Sequence, residues 1–397
     1  MKIVFIYILL FLFFYIQPIS IGGVKISFVT NGALILLILN FLLRNQVHFN
    51  KIGKIGIYNA IKIIFSKGFV LDFVGVIIEC VKSLMLPLVH LYFSNSRFCS
   101  RLFYYLIFLC KFLVISSIPF LIGIIQPIKQ GYDLSFFGQE DGGFVGFFEN
   151  SHSSSACISL AILVLIFNFI NRHKSWNPSR KFFEICVILL GLYVLYSTYV
   201  RTGYLMVFIG SIVLFVGYFR SQYLVYYFFV FSILAFLATY MFNRDEVLRN
   251  KLLDNYENSN TEEDNLGSGR ILFLKASFDI WLEANSIDKI FGLGLQEYKE
   301  EMFKKVGQRI YAHNGFVSAL VKDGLVGFLL YVYFIGLLIV ESYRSNSHYR
   351  LLALSVSLAY LAYQMVQGNV ISQIMEVMLG SIFVLVYVKK KRVSKNI

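Results

Sequence analysis

Two arginines and one histidine are the residues most suited to chemistry. Arg201 interrupts an otherwise apolar stretch, and Arg270 follows a Gly-Ser-Gly turn at the start of a helical pattern. Such a turn allows close approach of a ligand, and the following helix points its amino end at an anion. His313 precedes a further apolar run and, with an ordinary pKa of about 6.5, can serve as general base for a hydroxyl. These residue types suit the binding of an anion beside an activated hydroxyl.

Each residue also has a simpler interpretation. Arg201 could snorkel at a membrane interface, Arg270 could mark a plain loop-to-helix junction, and His313 with Asn314 could cap a helix. A second histidine, His152, stands at another helix start, where capping is the first interpretation and substrate contact the second. Their order along the chain, with all of them expected on one side of a membrane, favours a functional role.

The composition predicts a membrane protein. Of the 397 residues, 57% are hydrophobic and 15% charged, whereas soluble proteins carry roughly a quarter charged residues. The net charge of +13 falls in short connectors and the tail, where it orients the chain in a membrane, and we see no nucleic-acid signal. Five cysteines lack the spacing of a zinc site or disulfide framework and are expected to act as small apolar residues: Cys80, Cys99, Cys110, Cys157 and Cys186.

The elements that must position the candidate residues are transmembrane helices. About eleven apolar runs approach the roughly 20 residues that a helix needs to cross the hydrocarbon core. They are Ile3 to Ile16, Ser27 to Leu43, Phe69 to Phe93, Leu102 to Ile125, Ser153 to Ile170, Phe182 to Tyr199, Tyr204 to Phe219, Tyr223 to Phe242, Gly315 to Val340, Leu351 to Tyr363 and Val370 to Val388. We therefore predict an all-α polytopic membrane fold of about 11–12 transmembrane helices, with one large extracytoplasmic loop between spans 8 and 9. The predicted units are a transmembrane bundle (1–242), the loop with short helices (243–313), and C-terminal helices with a basic cytoplasmic tail (314–397).

Lysines and arginines in the short loops predict the orientation. Five of them between Lys389 and Lys395 place the carboxyl terminus in the cytoplasm. Counting back, the basic connector 171–181 falls inside and the acidic segment 126–151 outside. The loop 243–312 also falls outside, where 10 Lys and Arg against 13 Asp and Glu give a net charge of −3.

The first quarter of the chain leaves two alternatives, because two successive basic connectors both favour the inside with only one clear span between them. Either Ile55 to Ser66 makes an extra short crossing, or it lies in the interface as an amphipathic helix. In the third run Asp72, Glu79 and Lys82 share one helix face. We expect that face to point into the bundle as a buried ion pair rather than as a proton path.

Two glycine patterns punctuate the second half of the chain. The sequence Phe291-Gly292-Leu293-Gly294 predicts a turn. Gly324 and Gly327, inside the ninth span, predict close packing or a bend in that helix.

These residues resemble the bacterial O-antigen ligase and O-antigen polymerase superfamily. The similar positions are Ser197-Thr198-Tyr199-Val200-Arg201, Gly267-Ser268-Gly269-Arg270, Phe291-Gly292-Leu293-Gly294, His313-Asn314-Gly315-Phe316 and Asp323-Gly324-Leu325-Val326-Gly327. The resemblance covers roughly the second half of the chain, and the first half is similar only in having many spans.

The resemblance implies a metal-independent, inverting glycosyltransferase that needs no cofactor and acts on an undecaprenyl-diphosphate-linked glycan. It implies that Arg201 and Arg270 hold the lipid diphosphate and that His313 activates the acceptor hydroxyl, with Asn314 and His152 as further substrate contacts. Guanidinium groups can neutralise a diphosphate leaving group without a metal. The implied location is the bacterial inner membrane with the site facing the periplasm or cell exterior. The expected partners are the lipid-linked oligosaccharide, the bilayer, a chain-length regulator and a flippase.

Polymerase and ligase share these motifs. A polymerase joins a lipid-linked chain to a lipid-linked repeat unit, whereas a ligase transfers the chain to lipid A core. We favour the polymerase because the outer loop is compact and the acidic segment 126–151 offers a second outer surface. Alternatives of other classes are a lipid-linked sugar transporter, which predicts ionisable residues near the bilayer midplane in repeated halves, and a scaffold for capsule assembly.

Overall fold

The computed structural model describes residues 2–16, 19–21, 24–44, 50–62, 73–95, 101–127, 143–148, 150–218, 270–368 and 373–387. Several sequence predictions lie outside the described residues: the span Tyr223 to Phe242, most of segment 126–151, segment 243–269 with its glycine turn, Asp72, Cys99 and the basic tail.

Within the described ranges the chain is helical apart from one short hairpin, in which β1 (Ser20–Ile21) pairs with β2 (Val24–Lys25). The helices up to residue 127 are α1 (Lys2–Ile16), α2 (Ile26–Arg44), α3 (Lys51–Ile61), α4 (Phe73–Asn95), α5 (Leu102–Ile115) and α6 (Ile118–Leu121). They are followed by α7 (Ser151–Arg172), a single 3-10 turn (His173–Ser175), α8 (Pro178–Ser197) and α9 (Arg201–Tyr218). The last group comprises α10 (Arg270–Glu283), α11 (Ser286–Phe291), α12 (Leu295–Val306), α13 (Gly315–Arg344), α14 (Arg350–Val366) and α15 (Gln373–Leu385).

Four helical stretches among the described residues are long and apolar enough to cross a membrane: Leu102–Leu121, Ser151–Ser175, Arg201–Tyr218 and Gly315–Arg344. Shorter apolar helices accompany them at Tyr7–Ile16, Gly32–Arg44, Arg350–Val366 and Ile374–Leu385. The helical membrane fold is therefore confirmed, whereas the number of about 11–12 spans and the placement of the large loop stay predictions.

Helix α7 forms the centre of the bundle, and its residues are buried almost throughout as far as Asn168. Its first turns are rich in serine and alanine, small residues that let neighbouring helices approach closely. A Cβ on Gly203 of α9 would overlap Ser155 of α7, and further along the same pair Gly210 lies against Leu163. The two helices therefore run parallel, with their amino ends together.

Helix α14 runs antiparallel to α9. Ser355 donates a hydrogen bond of 2.8 Å to the carbonyl of Gly210, whereas Leu351, earlier on α14, packs on Gly217, later on α9. The carboxyl end of α14 therefore lies at the same end of the bundle as the amino ends of α7 and α9. We call this the site end of the bundle.

Helices α10, α11 and α12 form an outer helical unit with its own small core. Phe273, Ile280, Tyr298 and Met302 are buried together against Val321 of α13. The unit therefore rests on the first turns of α13.

Helix α3 bears on the extra crossing considered for the first quarter of the chain. It has 11 residues, so it is about 16 Å long and too short to cross a hydrocarbon core of about 30 Å alone. Its small residues pack on α4, where Gly53 lies against Leu91 and Gly56 against Pro87. Residues 51–61 therefore form a short helix packed against α4 that does not cross the core by itself, and the interfacial alternative stays a prediction.

Candidate active site

The segment before α13 is fixed by Tyr298 of α12, which is fully buried. The hydroxyl of Tyr298 accepts a 2.8 Å hydrogen bond from the backbone N–H of Ala312 and lies 2.7 Å from the hydroxyl of Ser277. Ser318 in turn donates to the carbonyl of Ala312 at 2.8 Å. Because both polar groups of Ala312 are paired, the position of the next residue, His313, is well defined.

His313 is half-buried between two aromatic rings, those of Phe273 at 6.1 Å and Tyr311 at 6.3 Å between ring centroids. Its Nδ1 is buried, and no described residue forms a hydrogen bond with it. Burial, followed by the positive charges of Arg270 and His152, lowers the pKa of His313 from 6.5 to about 4. The imidazole is therefore neutral at physiological pH and able to accept a proton.

Arg270 is the first residue of α10 and reaches across to the carboxyl end of α14. Its two terminal nitrogens donate to the carbonyl of Val366 and to Oε1 of Gln367, both at 3.4 Å. Gln367 is fully buried, so these bonds attach the guanidinium to a rigid support. The structure thereby brings Arg270 and His313 into one electrostatic environment at the site end.

Asn314 has a structural role. Its Oδ1 caps α13 by accepting bonds from the N–H groups of Phe316 (3.0 Å) and Val317 (3.1 Å), and its Nδ2 donates to the carbonyl of Met365 (2.8 Å). Gly368, with φ 63°, packs directly on the backbone of Asn314. The amide thus joins α13 to α14, and a direct substrate contact by Asn314 stays a prediction.

Arg201 is half-buried and begins α9 directly after a tight corner. Tyr199 turns the chain there with φ 51°, a conformation uncommon outside glycine. The carbonyl of Ser197 accepts a 2.8 Å hydrogen bond from Phe144, which holds the segment 143–148 against this corner. Helix directions place Arg201 at the site end with the other candidates.

His152 is the second residue of α7, and the interpretation of it as a helix cap is wrong. The cap is Asn150, whose Oδ1 accepts a 2.8 Å bond from the N–H of Ser153. His152 is half-buried, and its charge lowers the pKa of His313, so the two histidines are close enough to interact electrostatically.

The segment Phe291–Gly294 is hydrogen-bonded to α13 just before Gly324. At Gly324 the backbone of α13 leaves the helical conformation, with φ 69° and ψ −174°, so the predicted bend is confirmed. The N–H groups of Leu293 and Gly294 donate to the carbonyls of Val321 (3.1 Å) and Lys322 (2.9 Å), which the bend withdraws from ordinary helical bonding. The outer helical unit is therefore attached to α13 at a defined position.

Sequence reasoning missed a group of charged residues inside the bundle. Lys62 pairs with Asp323 at 3.1 Å, and Lys322 pairs with Glu79 at 3.3 Å. Glu79 faces the bundle as predicted, but this lysine partner comes from α13, 243 residues further along the chain. The signal in the sequence was Lys322-Asp323, two adjacent charges within an apolar run.

The cysteines and possible metal ligands can be checked only within the described residues. There, Cys80, Cys110, Cys157 and Cys186 form no disulfide. In the same part of the chain no three His, Cys, Asp or Glu side chains are grouped to hold a metal ion. Metal independence stays a prediction.

Comparison with known families adds an independent observation. Residues 185–332 match the family model described as O-antigen ligase, and a comparison with curated proteins found no match. The matched segment runs from α8 into α13 and includes Arg201, Arg270 and His313. Members of this family are glycosyltransferase-like enzymes. The match supports the resemblance seen in the motifs, and all five of the similar positions fall within the matched residues 185–332.

Proposed function

We propose that the protein is a surface-polysaccharide polymerase, which transfers an undecaprenyl-diphosphate-linked glycan to a hydroxyl of a lipid-linked repeat unit at the outer face of the bacterial inner membrane. The observation that carries this proposal is a neutral, half-buried His313 beside Arg270 and His152 at one end of a helical bundle. A neutral base beside fixed positive charge suits a reaction in which a hydroxyl loses a proton while an anionic group departs.

The reaction proceeds by a single displacement. His313 accepts the proton of the acceptor hydroxyl while the acceptor oxygen forms a bond to the anomeric carbon of the donor sugar. The bond from that carbon to the diphosphate oxygen breaks, and the lipid diphosphate leaves with the electron pair. Arg201 and Arg270 hold the diphosphate and stabilise its developing charge. Attack opposite the leaving group inverts the configuration at the anomeric carbon.

The test uses purified full-length protein in lipid nanodiscs with lipid-linked repeat units. Wild-type protein should give a ladder of longer lipid-linked chains. His313→Ala and Arg270→Ala should insert normally but leave no more than a trace of it. His173→Ala is a matched histidine control. His173 directly follows the carboxyl end of α7, opposite the site end, and its Nδ1 bonds to carbonyls of the last turn of α7. Arg309→Ala is the arginine control, since Arg309 is exposed and pairs with Glu300. Wild-type ladders from both site variants would overturn the catalytic assignment.

A ligase is the second candidate, and the O-antigen ligase description of the matching family favours it. Adding lipid A core to the same assay separates the two. Transfer to the core without a ladder would establish the ligase in place of the polymerase. Addition of a chelator should leave either reaction unchanged, and loss of activity would overturn metal independence.

A transporter for lipid-linked sugars remains the alternative of another class, and the buried charges around Lys62 and Lys322 are the observation that favours it. A transporter would move the lipid-linked unit between leaflets and form no glycosidic bond. Ladder formation by the purified protein alone would exclude it as the whole function.

A further inference from the structure

A polar cavity lies inside the bundle under the first turns of α13. Its volume is about 90 Å³, whereas one water molecule needs about 10–15 Å³ measured in this way. It therefore has room for several water molecules, or for a similar number of hydroxyl groups on one edge of a sugar ring. Gly315, two residues after His313, forms part of its wall. A Cβ on Gly315 would lie 2.5 Å from Oε1 of Gln364 and 3.0 Å from the hydroxyl of Tyr331, so only glycine fits in this part of the wall without displacing them.

The charges around the cavity argue against an anionic ligand. The two lysines are each paired with a carboxylate, Lys62 with Asp323 and Lys322 with Glu79. Glu79 lies outside the lining, and Glu376 is the second carboxylate in it besides Asp323. With two acids and two lysines in the lining, and both lysines paired, the cavity offers no surplus positive charge to a phosphate. It suits a neutral group that both donates and accepts hydrogen bonds.

Buried side-chain oxygens in the lining need a donor, and two of them belong to Asn59 and Asp323. Oδ1 of Asn59 and Oδ1 of Asp323 receive no hydrogen bond from the described part of the chain. The side chain of Asp323 is 3% exposed, and its Oδ1 lies 4.0 Å from Nζ of Lys322, too far for a hydrogen bond. Buried polar atoms in native proteins nearly always have a partner. Hydroxyl groups that enter the cavity, from water or from a ligand, would supply one.

The cavity and the candidate anion-binding residues lie on different elements. Asn59 belongs to α3, Glu376 to α15 and Asp323 to α13. Arg201 and Arg270, in contrast, begin α9 and α10. A glycan transfer needs two substrates, and these two groups of residues offer a separate surface for each.

We propose that this cavity is the acceptor subsite and binds the hydroxyl-bearing edge of a neutral sugar, with Asn59 and Asp323 accepting hydrogen bonds from its hydroxyl groups. The proposal rests on the proposed function, because it assigns the second substrate of that reaction. The bound edge directs the reacting hydroxyl of the same sugar toward His313.

The experiment measures binding of the free repeat-unit oligosaccharide, released from its lipid by mild acid. This probe carries no diphosphate, so binding reports sugar contacts alone. Titration calorimetry on the full-length protein in nanodiscs should show binding by wild type and a five- to tenfold weaker affinity for Asn59→Leu, about the effect of one hydrogen bond. Tyr58→Leu, at an exposed position next to it on α3, is the matched control and should bind like wild type. In the ladder assay Asn59→Leu should raise KM and leave kcat nearly unchanged.

The outcomes separate the two proposals. Undetectable binding by wild type, or equal affinity for Asn59→Leu and Tyr58→Leu, overturns the acceptor subsite. Asn59→Ser is a smaller change that can be used if the leucine variant does not fold, and it should also weaken oligosaccharide binding. A serine variant that binds the oligosaccharide as tightly as wild type counts against the proposal. If wild type binds the oligosaccharide in an Asn59-dependent manner but forms no ladder, the cavity stands and the polymerase assignment falls. If wild type forms a ladder but shows no Asn59-dependent binding, the polymerase assignment stands and the acceptor subsite is overturned.

Discussion

The pKa of His313 should determine the pH below which the rate of the proposed reaction falls. Burial, Arg270 and His152 lower this pKa from 6.5 to about 4. A general base works in its neutral form, so the rate should follow the neutral fraction. At about pH 5.5, roughly 97% of a group with a pKa of 4 is neutral, compared with roughly 9% of an ordinary histidine. The two environments therefore differ about tenfold in expected rate at that pH.

The assay is kcat/KM for ladder formation between pH 8 and 4, because kcat/KM reports the pKa of the free enzyme. We expect a rate that stays flat to about pH 5 and then falls. Replacing Arg270 with glutamine removes a positive charge, so it should raise the pKa of His313 and move the fall to higher pH. Arg270→Lys keeps the charge and should leave the position of the fall unchanged. His152→Gln should act in the same direction as Arg270→Gln but less, since Arg270 is the larger cause.

One control and one choice of comparison make the pH profile interpretable. Protein held at each pH and returned to pH 7 should recover its full rate, which excludes irreversible unfolding. The residual activity of each variant needs only to be measurable, because the position of the fall is compared and not its height. A wild-type midpoint near 6.5, or a fall that moves to lower pH in Arg270→Gln, would refute the environment or the role assigned to His313.

Two further changes test the support of the site. Tyr298→Phe leaves the buried N–H of Ala312 without its partner, so it should lower the free energy of unfolding by about 1–3 kcal/mol and slow ladder formation; denaturant titration checks this, and unchanged stability would contradict it. Gly324→Ala places a Cβ against the carbonyl of Ile290 at φ 69° and should loosen the outer helical unit by at least about 1–2 kcal/mol. Gly336→Ala, on the same helix with nothing near its Cβ, is the control in limited proteolysis, where equal cleavage of both variants would count against the bend.

The local sequence predicted those features that depend on local chemistry. Apolar runs predicted helices because backbone groups in a bilayer must pair within their own segment. Gly324 predicted a bend because glycine adopts a positive φ at little cost, and the structure confirms it. The order of Arg201, Arg270 and His313 indicated a family resemblance that the match over residues 185–332 supports, although the roles of these residues stay predictions.

Other features depend on residues that are distant in the chain. The pKa of His313 results from burial beside Arg270 and His152, and no sequence pattern around His313 indicates those neighbours. Asn150, rather than His152, caps α7, because a short amide can reach the backbone N–H three residues later.

The sequence by itself determined that this chain is a helical membrane protein with basic and imidazole groups suited to an anionic substrate. Only the tertiary structure decided that Lys62 reaches Asp323 and that a polar cavity lies under Gly315. The physical reason is that hydrophobicity and backbone bonding act over a few residues of sequence, whereas desolvation and charge pairing act through space between helices that only packing brings together.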